Sequence, residues 1–532
     1  MLIGDLLTSQ ARAHPDTPAL LDPRAERSLT FAELDTAVTS AATWWQTEAG
    51  LQRGDAVLVF VPMSADLYVA LLGLFRIGAV ALFLDPSAGK AHLEACCARW
   101  APKALLAVPK AHLLRLRSPA LRKIPLKLTP RGWLPFTQRW RPSSQISNFK
   151  SHISPPTVHP SDPALVTFTS GSTGLPKAAV RTHALLLAQY HALAPSLHLN
   201  RGDIDLATLP IFVLANLAAG VTTVLPEVDL RKPGEVDAAG LFAQIERDRV
   251  TRITASPAFF ERLITYGLET RRTLPSLRQV HTGGAPVFPR LLDALRHLAP
   301  NAQVVAVYGS TEAEPIAHLE HSEITPDDLT AMASGRGLLA GQPTPEIRLA
   351  IIADEFGRPR KPETTASFHE AKLPVGAIGE IVVAGDHVLK GYLGGHGDEE
   401  TKFKVDGETW HRTGDAGSLD AHGRLWLNGC CTAKIDDAHG RLYPFGIECI
   451  AMTFPDVRRA AFVSLNGQRL LAIESSKPSP ELETQLTASA TLANAYVEKI
   501  IFLDHLPVDR RHNAKIDYPA LQALLQSSHP SS

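Results

Sequence analysis

The sequence predicts an α/β protein with a large N-terminal domain of parallel sheets covered by helices and a small C-terminal α+β domain. Three observations carry this. The chain has 532 residues, more than a single hydrophobic core usually organises. Apolar β-type runs alternate with helical patterns over most of its length, and strands that are apolar throughout belong to parallel sheets buried on both faces. Near Asn428-Gly429 the texture changes, so the boundary is placed there, dividing the chain into 1–428 and 429–532.

The first expected strand is 56–61, followed by a helix over 66–77 and a strand over 79–84. The apolar run 67–84 is interrupted by Arg76 and two glycines, which suits a buried helix entering a strand rather than a membrane span. Later come strands at 253–256, 279–282 and 304–308, with helices expected over 257–266 and 289–298. Ligands in such sheets sit at the carboxyl ends of the strands, where Thr282-Gly283-Gly284-Ala285 and Tyr308-Gly309-Ser310-Thr311-Glu312 fall. From about Arg348 the strands shorten and alternate, as in 380–384, which reads as an antiparallel sheet closing the large domain.

Composition narrows the class. With 45% hydrophobic and 20% charged residues the chain is of the soluble globular type. A net charge of −1 supplies no field toward nucleic acid, so no such partner is expected. Five cysteines, four of them in the adjacent pairs Cys96-Cys97 and Cys430-Cys431, suit neither a disulfide framework nor a metal site. They read as ordinary core thiols of a cytoplasmic protein. The N-terminus shows no basic segment followed by an apolar one, so no secretory signal is expected.

Between Glu94 and Asp162 there is no Asp or Glu, while lysines and arginines recur from Lys103 to Lys150 with Trp133, Phe136 and Trp140 interleaved. Such a segment suits an anionic membrane surface or an acidic partner, including a pathway enzyme. A poorly ordered, solvated loop is the competing reading.

The stretch after the apolar residues Ala164-Leu165-Val166 reads Phe168-Thr169-Ser170-Gly171-Ser172-Thr173-Gly174-Leu175-Pro176-Lys177. Its hydroxyls and glycines can bring O–H and N–H donors against phosphate oxygens, with the Lys177 ammonium as a point charge. It is not a Walker A loop, because Lys177 stands three places after Gly174 and Ala178 follows it.

This loop resembles the signature of the adenylate-forming superfamily, which comprises acyl- and aryl-CoA ligases, luciferases and adenylation domains of peptide synthetases. It departs from the usual form only at Ala178. Further motifs follow in the family's order: Gly283-Gly284-Ala285-Pro286, Tyr308-Gly309-Ser310-Thr311-Glu312, Trp410-His411-Arg412-Thr413-Gly414-Asp415, and 507–516 ending in Lys515-Ile516. The resemblance implies a β-barrel-like subdomain in the large domain and mobility of the small one. It also implies an ATP- and Mg²⁺-dependent reaction in which a carboxylate displaces pyrophosphate to form an acyl-adenylate. By the same resemblance Lys515, Glu312 and Thr173 are catalytic, Glu312 and Thr173 hold the metal, and Tyr308 stacks on adenine. Asp415 accepts the ribose hydroxyls, as a carboxylate's two oxygens can. Thr169, Ser170, Gly171, Ser172, Thr173, Gly174 and Lys177 line the nucleotide, as do Gly283, Gly284, Ala285, Gly309, Ser310 and Thr311. Phe212, Gly284 and His183 face the acid.

Two positions depart from the pattern. Cys430 stands where arginine is expected at the domain junction, and Val213 where many acyl-CoA ligases carry histidine. Together with Gly202-Asp203-Ile204-Asp205-Leu206-Ala207-Thr208 and the 508–516 motif, they look like the β-lactone synthetase branch of long-chain olefin biosynthesis. There the 3-hydroxyl of a fatty acid attacks its own adenylate, so no thiol channel for CoA is needed. A fatty acyl-CoA ligase and a nucleotide-binding pseudoenzyme are the alternatives. Thr173, Lys177, Glu312, Asp415 and Lys515 are all present, which argues against the last. His183 is a candidate base for the hydroxyl, with a packing or capping histidine as the competing reading. The small apolar residues over 213–224 suit an alkyl tunnel and equally suit tight helix packing.

Overall fold

The computed structural model describes residues 2–84, 89–132, 134–140, 157–169, 176–489, 492, 494–509 and 514–528. By internal packing the chain forms two compact units. The first comprises 1–227, 247–252 and 386–398, and the second 228–246, 253–385 and 399–532.

The first unit holds a seven-stranded sheet in the order Gln138–Arg139, Leu126–Thr129, Ala104–Ala107, Ala56–Phe60, Val80–Phe83, Pro163–Thr169, Lys177–Thr182. All neighbours are parallel except the last pair, which is antiparallel. The apolar run 67–84 divides as expected into the helix Ala65–Arg76 and the strand Val80–Phe83. Ser64 Oγ accepts from Leu67 N (3.3 Å) and Asp22 Oδ2 from Ala65 N (2.9 Å), so two N–H groups of the helix start are satisfied. Gly73 lets this helix lie against Phe31–Thr47, because a Cβ there would stand 2.8 Å from that of Ala41. The strands Ile204–Ala207, Thr222–Val224 and Pro18–Asp22 run parallel beside one another, with Arg27–Thr30 antiparallel at the edge. Among the described residues no helix is long and apolar enough to cross a membrane.

In the second unit the parallel pair Gln279–Gly283 and Gln303–Ser310 continues through the hairpin partner Ala313–Glu320 into antiparallel strands. These follow as Leu338–Pro343, Leu425–Cys430, Glu408–Leu419, Gly379–Ala384 and Arg348–Ile352. The antiparallel sheet expected after Arg348 is this part, but its strands are not uniformly short or alternating: Glu408–Leu419 runs 12 residues, and Gly379–Ala384 is buried at every position because both faces are covered.

The C-terminal stretch carries its own small sheet, Val457–Leu465, Gln468–Ser475 and Lys499–Leu503, with helices Pro444–Ala451, Pro480–Thr487 and Tyr518–Ser528. Its hairpin turns at Asn466-Gly467, both in the left-handed region (φ +53° and +81°), as a two-residue β-hairpin turn requires. One face of the sheet buries Phe462, Leu471 and Ile473 with Ile447 and Leu482. The other buries Val463 and Leu470 with Leu521 and Leu525. Alternation along the strands builds both cores.

Candidate active site

Within the second unit, two parallel strands deliver the first wall of a cavity. Gly283 pairs with Val307, and a Cβ at 283 would lie 2.4 Å from the Val307 carbonyl oxygen, so the strands themselves require glycine there. Gly284 follows at φ +80°, a conformation L side chains rarely adopt, and turns 285–287 along the cavity. Tyr308 and Gly309 line it from the neighbouring strand, with Leu338, Leu339 and Leu427 as its apolar floor.

Asp415 enters from the long strand Glu408–Leu419, whose register is fixed by residues the motif does not explain. Arg412 is buried and forks onto buried Glu380, with Nε–Oε1 at 2.9 Å and Nη2–Oε2 at 2.6 Å. Trp410 packs among Phe368 and Phe403. Thr413 Oγ1 donates to the Ile381 carbonyl and accepts from Asp415 N at 3.1 Å, which sets the angle at which the carboxylate leaves the strand.

Both carboxylate oxygens are engaged. Tyr308 Oη donates to Oδ2 at 2.8 Å and Cys430 Sγ to Oδ1 at 3.4 Å. Burial and the Asp415 charge push the Tyr308 phenol well above its usual range, so it stays a neutral donor. Burial pushes the Cys430 thiol up to about 11, with Lys515 pulling the other way. Lys515 lies beside the antiparallel bridge Val508–Ile516 and is tied by Asp509 Oδ1, which accepts from Lys515 N at 3.0 Å. The residue as a whole is exposed, and its ammonium lies close enough to Cys430 and Asp415 to feel their charge. Cys430, once ionised, and the Asp415 carboxylate raise its pKa, against the desolvation that opposes it. Because Cys430 is a thiol at neutral pH, Asp415 is the effective counter-charge.

Glu312 lies in the turn after Tyr308. Ser310 Oγ accepts from Glu312 N (3.3 Å) and Ala313 N (3.2 Å), which shapes that turn and presents Thr311 and Glu312 beyond the strand end.

The second unit thus brings Gly283, Gly284, Ala285, Tyr308, Gly309, Asp415 and Lys515 to one place. Thr169, Lys177, Phe212 and His183 belong to the first unit. Lys177 runs its stem over Gly397 and holds its ammonium 5.8 Å from the Tyr392 ring centre. Phe212 and Val213 are buried in the helix Pro210–Ala219. His183 opens the helix His183–Ser196, is 1% exposed, and meets the edge of Phe75, with no hydrogen-bond partner on either ring nitrogen among the described residues. Desolvation lowers its pKa to about 4. Ser170, Gly171, Ser172, Thr173 and Gly174 lie outside the described residues, as do 510–513 of the C-terminal motif.

Cys430 changes standing between sequence and structure. The reading of both adjacent thiols as core holds for Cys431, which is buried, whereas Cys430 lines the cavity and touches Asp415 and Lys515. The available signal was its place one residue after Gly429, whose φ of +112° turns the strand end toward the cavity.

A carboxylate held by a phenol and a thiol, with an ammonium beside it and a glycine-lined slot alongside, suits a sugar diol next to an anion. The protein family of AMP-binding enzymes matches residues 7–393 of the chain. The chain is 30% identical over 544 residues to olefin beta-lactone synthetase of Stenotrophomonas maltophilia (strain K279a), covering 97% of this chain and 96% of that protein. It is 32% identical to olefin beta-lactone synthetase of Xanthomonas campestris pv. campestris, with 97% and 95% covered. The amide bond synthetase McbA of Marinactinospora thermotolerans shares the fold, with a TM-score of 0.80 at 23% identity over 98% of this chain and 99% of that one. A family match across most of the length agrees with the adenylate-forming motifs and with the slot they enclose: this chain belongs to the AMP-binding enzyme family.

Proposed function

We propose that the protein is an AMP-forming ligase that activates a long-chain 3-hydroxy fatty acid with ATP and then closes it to a β-lactone. The observation that carries this is the convergence of Tyr308, Asp415, Cys430 and Lys515 on one cavity, with the Lys515 ammonium poised beside a carboxylate suited to a ribose diol. The likeness over nearly the whole chain to two olefin beta-lactone synthetases supports the second step.

The residues fit the nucleotide. Asp415 has about four acceptor positions and the protein uses two, which leaves room for two ribose hydroxyls. Among the described residues no group of three or more His, Cys, Asp or Glu could hold a metal by itself. That suits Mg²⁺ held by Glu312 and Thr173 together with the phosphate oxygens of ATP. When bound, Mg²⁺ neutralises charge on those oxygens. In this reading 1–428 carries the nucleotide and acid sites, and 429–532 is the mobile part that brings Lys515 to them.

The acid's carboxylate attacks the α-phosphorus in line, the bond to the bridging oxygen of pyrophosphate breaks, and the mixed anhydride remains. Little covalent help is required, so the protein contributes charge and position. Lys515 neutralises the carboxylate and bridging oxygen as they meet, Tyr308 and Gly284 hold adenine, and Lys177 with the 169–174 loop holds phosphate. In the second step the 3-hydroxyl oxygen attacks the acyl carbon, AMP leaves, and the hydroxyl proton passes to a base that none of these residues supplies. The sequence candidate for that base is His183, a buried imidazole that desolvation keeps neutral.

The test is incubation with ATP, Mg²⁺ and a long-chain 3-hydroxy acid, with and without CoA, followed by mass analysis. A product one water lighter than the acid, formed without CoA, supports lactone closure. A thioester formed only with CoA makes the protein an acyl-CoA ligase instead, and absence of pyrophosphate–ATP exchange with any acid overturns ligation itself.

A further inference from the structure

We propose that the basic segment at the edge of the seven-stranded sheet is a docking surface for anionic phospholipid. Leu113, Leu116 and Phe136 are 54%, 74% and 94% exposed, although large apolar side chains are ordinarily withdrawn from water. They are presented by ordered structure. Phe136 stands at φ +61°, in the left-handed region that a bulky residue rarely occupies, at the tip of a turn in which Thr137 N and Oγ1 both donate to the Leu134 carbonyl. The turn leads into the strand Gln138–Arg139, paired with Leu126–Thr129, and into Trp140, which is buried and stacked on Trp45 at 5.8 Å. Of the segment's aromatics, then, Trp140 is an anchor and Phe136 points outward, while Trp133 lies outside the described residues. The two apolar sites adjoin, because Arg115, between Leu113 and Leu116, donates from Nη1 to the Phe136 carbonyl at 3.5 Å.

The segment that carries these tips is basic in sequence. Lys103 and Arg131 are ion-paired with Asp55 and Asp66. Lys110, Arg117, Arg122, Lys123 and Arg139 are exposed and have no carboxylate partner among the described residues, and none exists in sequence between Glu94 and Asp162. Burial first, and then the charge of Arg115, lowers the Lys127 pKa. Exposed basic side chains on the same segment as exposed apolar tips match a bilayer interface, where phosphates meet the cations and the tips enter the acyl boundary. An acidic protein would be met by the same cations, but protein interfaces set both signs around a flat apolar centre rather than separate projecting tips. An anionic bilayer is therefore the occupant. This inference does not rest on the ligase reading.

The test is flotation of the full chain with vesicles of phosphatidylcholine alone or with about one-third phosphatidylglycerol, without ATP or acid present. Binding to the anionic vesicles only, weakened in 0.5 M salt, is expected. Leu116→Ser with Phe136→Ser should lower the partition coefficient at least about tenfold, and each of Arg117→Ala and Arg122→Ala about fivefold. All four side chains are exposed, so an unchanged thermal midpoint verifies folding. Equal partition onto neutral and anionic vesicles, or binding that survives these changes, overturns the proposal. Retention on immobilised polyglutamate without vesicle binding also overturns it, in favour of an acidic protein.

Discussion

Tyr308 and Asp415, 107 residues apart in the chain, meet side chain to side chain: the phenol donates to Oδ2 at 2.8 Å while Cys430 occupies Oδ1. The carboxylate is thereby aimed before any nucleotide arrives. Tyr308→Phe removes a hydrogen bond to a charged acceptor, worth about 1.5–3 kcal/mol. ATP affinity by calorimetry should fall about tenfold, with a much smaller change in turnover at saturating ATP. Unchanged affinity would remove the positioning role.

Lys515→Ala should leave ATP affinity within about threefold while lowering pyrophosphate–ATP exchange by roughly a hundredfold or more, since the ammonium acts on charge that develops as the bond is made. Because Cys430, once ionised, and the Asp415 carboxylate raise its pKa, the ammonium keeps its charge through the alkaline range, and exchange between pH 7 and 9 should not decline on its account. Equal loss of binding and exchange would contradict the assignment.

Cys430, with a thiol pKa near 11, is almost wholly protonated at neutral pH. Iodoacetamide labelling at this position should be slow at pH 7.5, rise roughly tenfold per pH unit on approach to pH 10, and be suppressed by ATP. Peptide mass mapping reads all three, and labelling indifferent to ATP would place the thiol away from the nucleotide.

Arg412 and Glu380 form a buried pair whose separation leaves a charge without its partner. Arg412→Met or Glu380→Gln should cost about 3–5 kcal/mol in unfolding free energy, seen as a lower urea midpoint. A shift under about 1 kcal/mol would mean that water replaces the missing partner.

Glu448 is buried, and its Oε1 accepts from Phe462 N and from Tyr518 Oη (2.7 Å), yet desolvation dominates and raises its pKa to about 7. The protonated form is favoured by the fold. The associated stability is therefore fully present below about pH 4.5 and is lost as pH rises through 7, a change of roughly 3 kcal/mol. Glu448→Gln should flatten that decline between pH 5 and 8. A decline identical to that of the unmodified protein would show that other groups cause it.

The sequence by itself determined the alternation of strands and helices, because strand burial on both faces writes continuous apolar runs such as Ala56–Phe60 and Val80–Phe83. It also determined which residue types were available to a nucleotide, because Tyr308, Asp415 and Lys515 sit in local motifs whose spacing survives without a fold. What it left open was decided by contacts between distant segments. The Arg412–Glu380 pair, the Tyr308–Asp415 bond and the split fates of Cys430 and Cys431 join residues from different strands, and no local pattern records such pairings. His183 and Phe136 make the same point in opposite senses. One is a polar ring enclosed with no hydrogen-bond partner among the described residues, and the other an apolar ring almost fully in water. Burial is a property of the assembled surface, and only the tertiary structure assigns it.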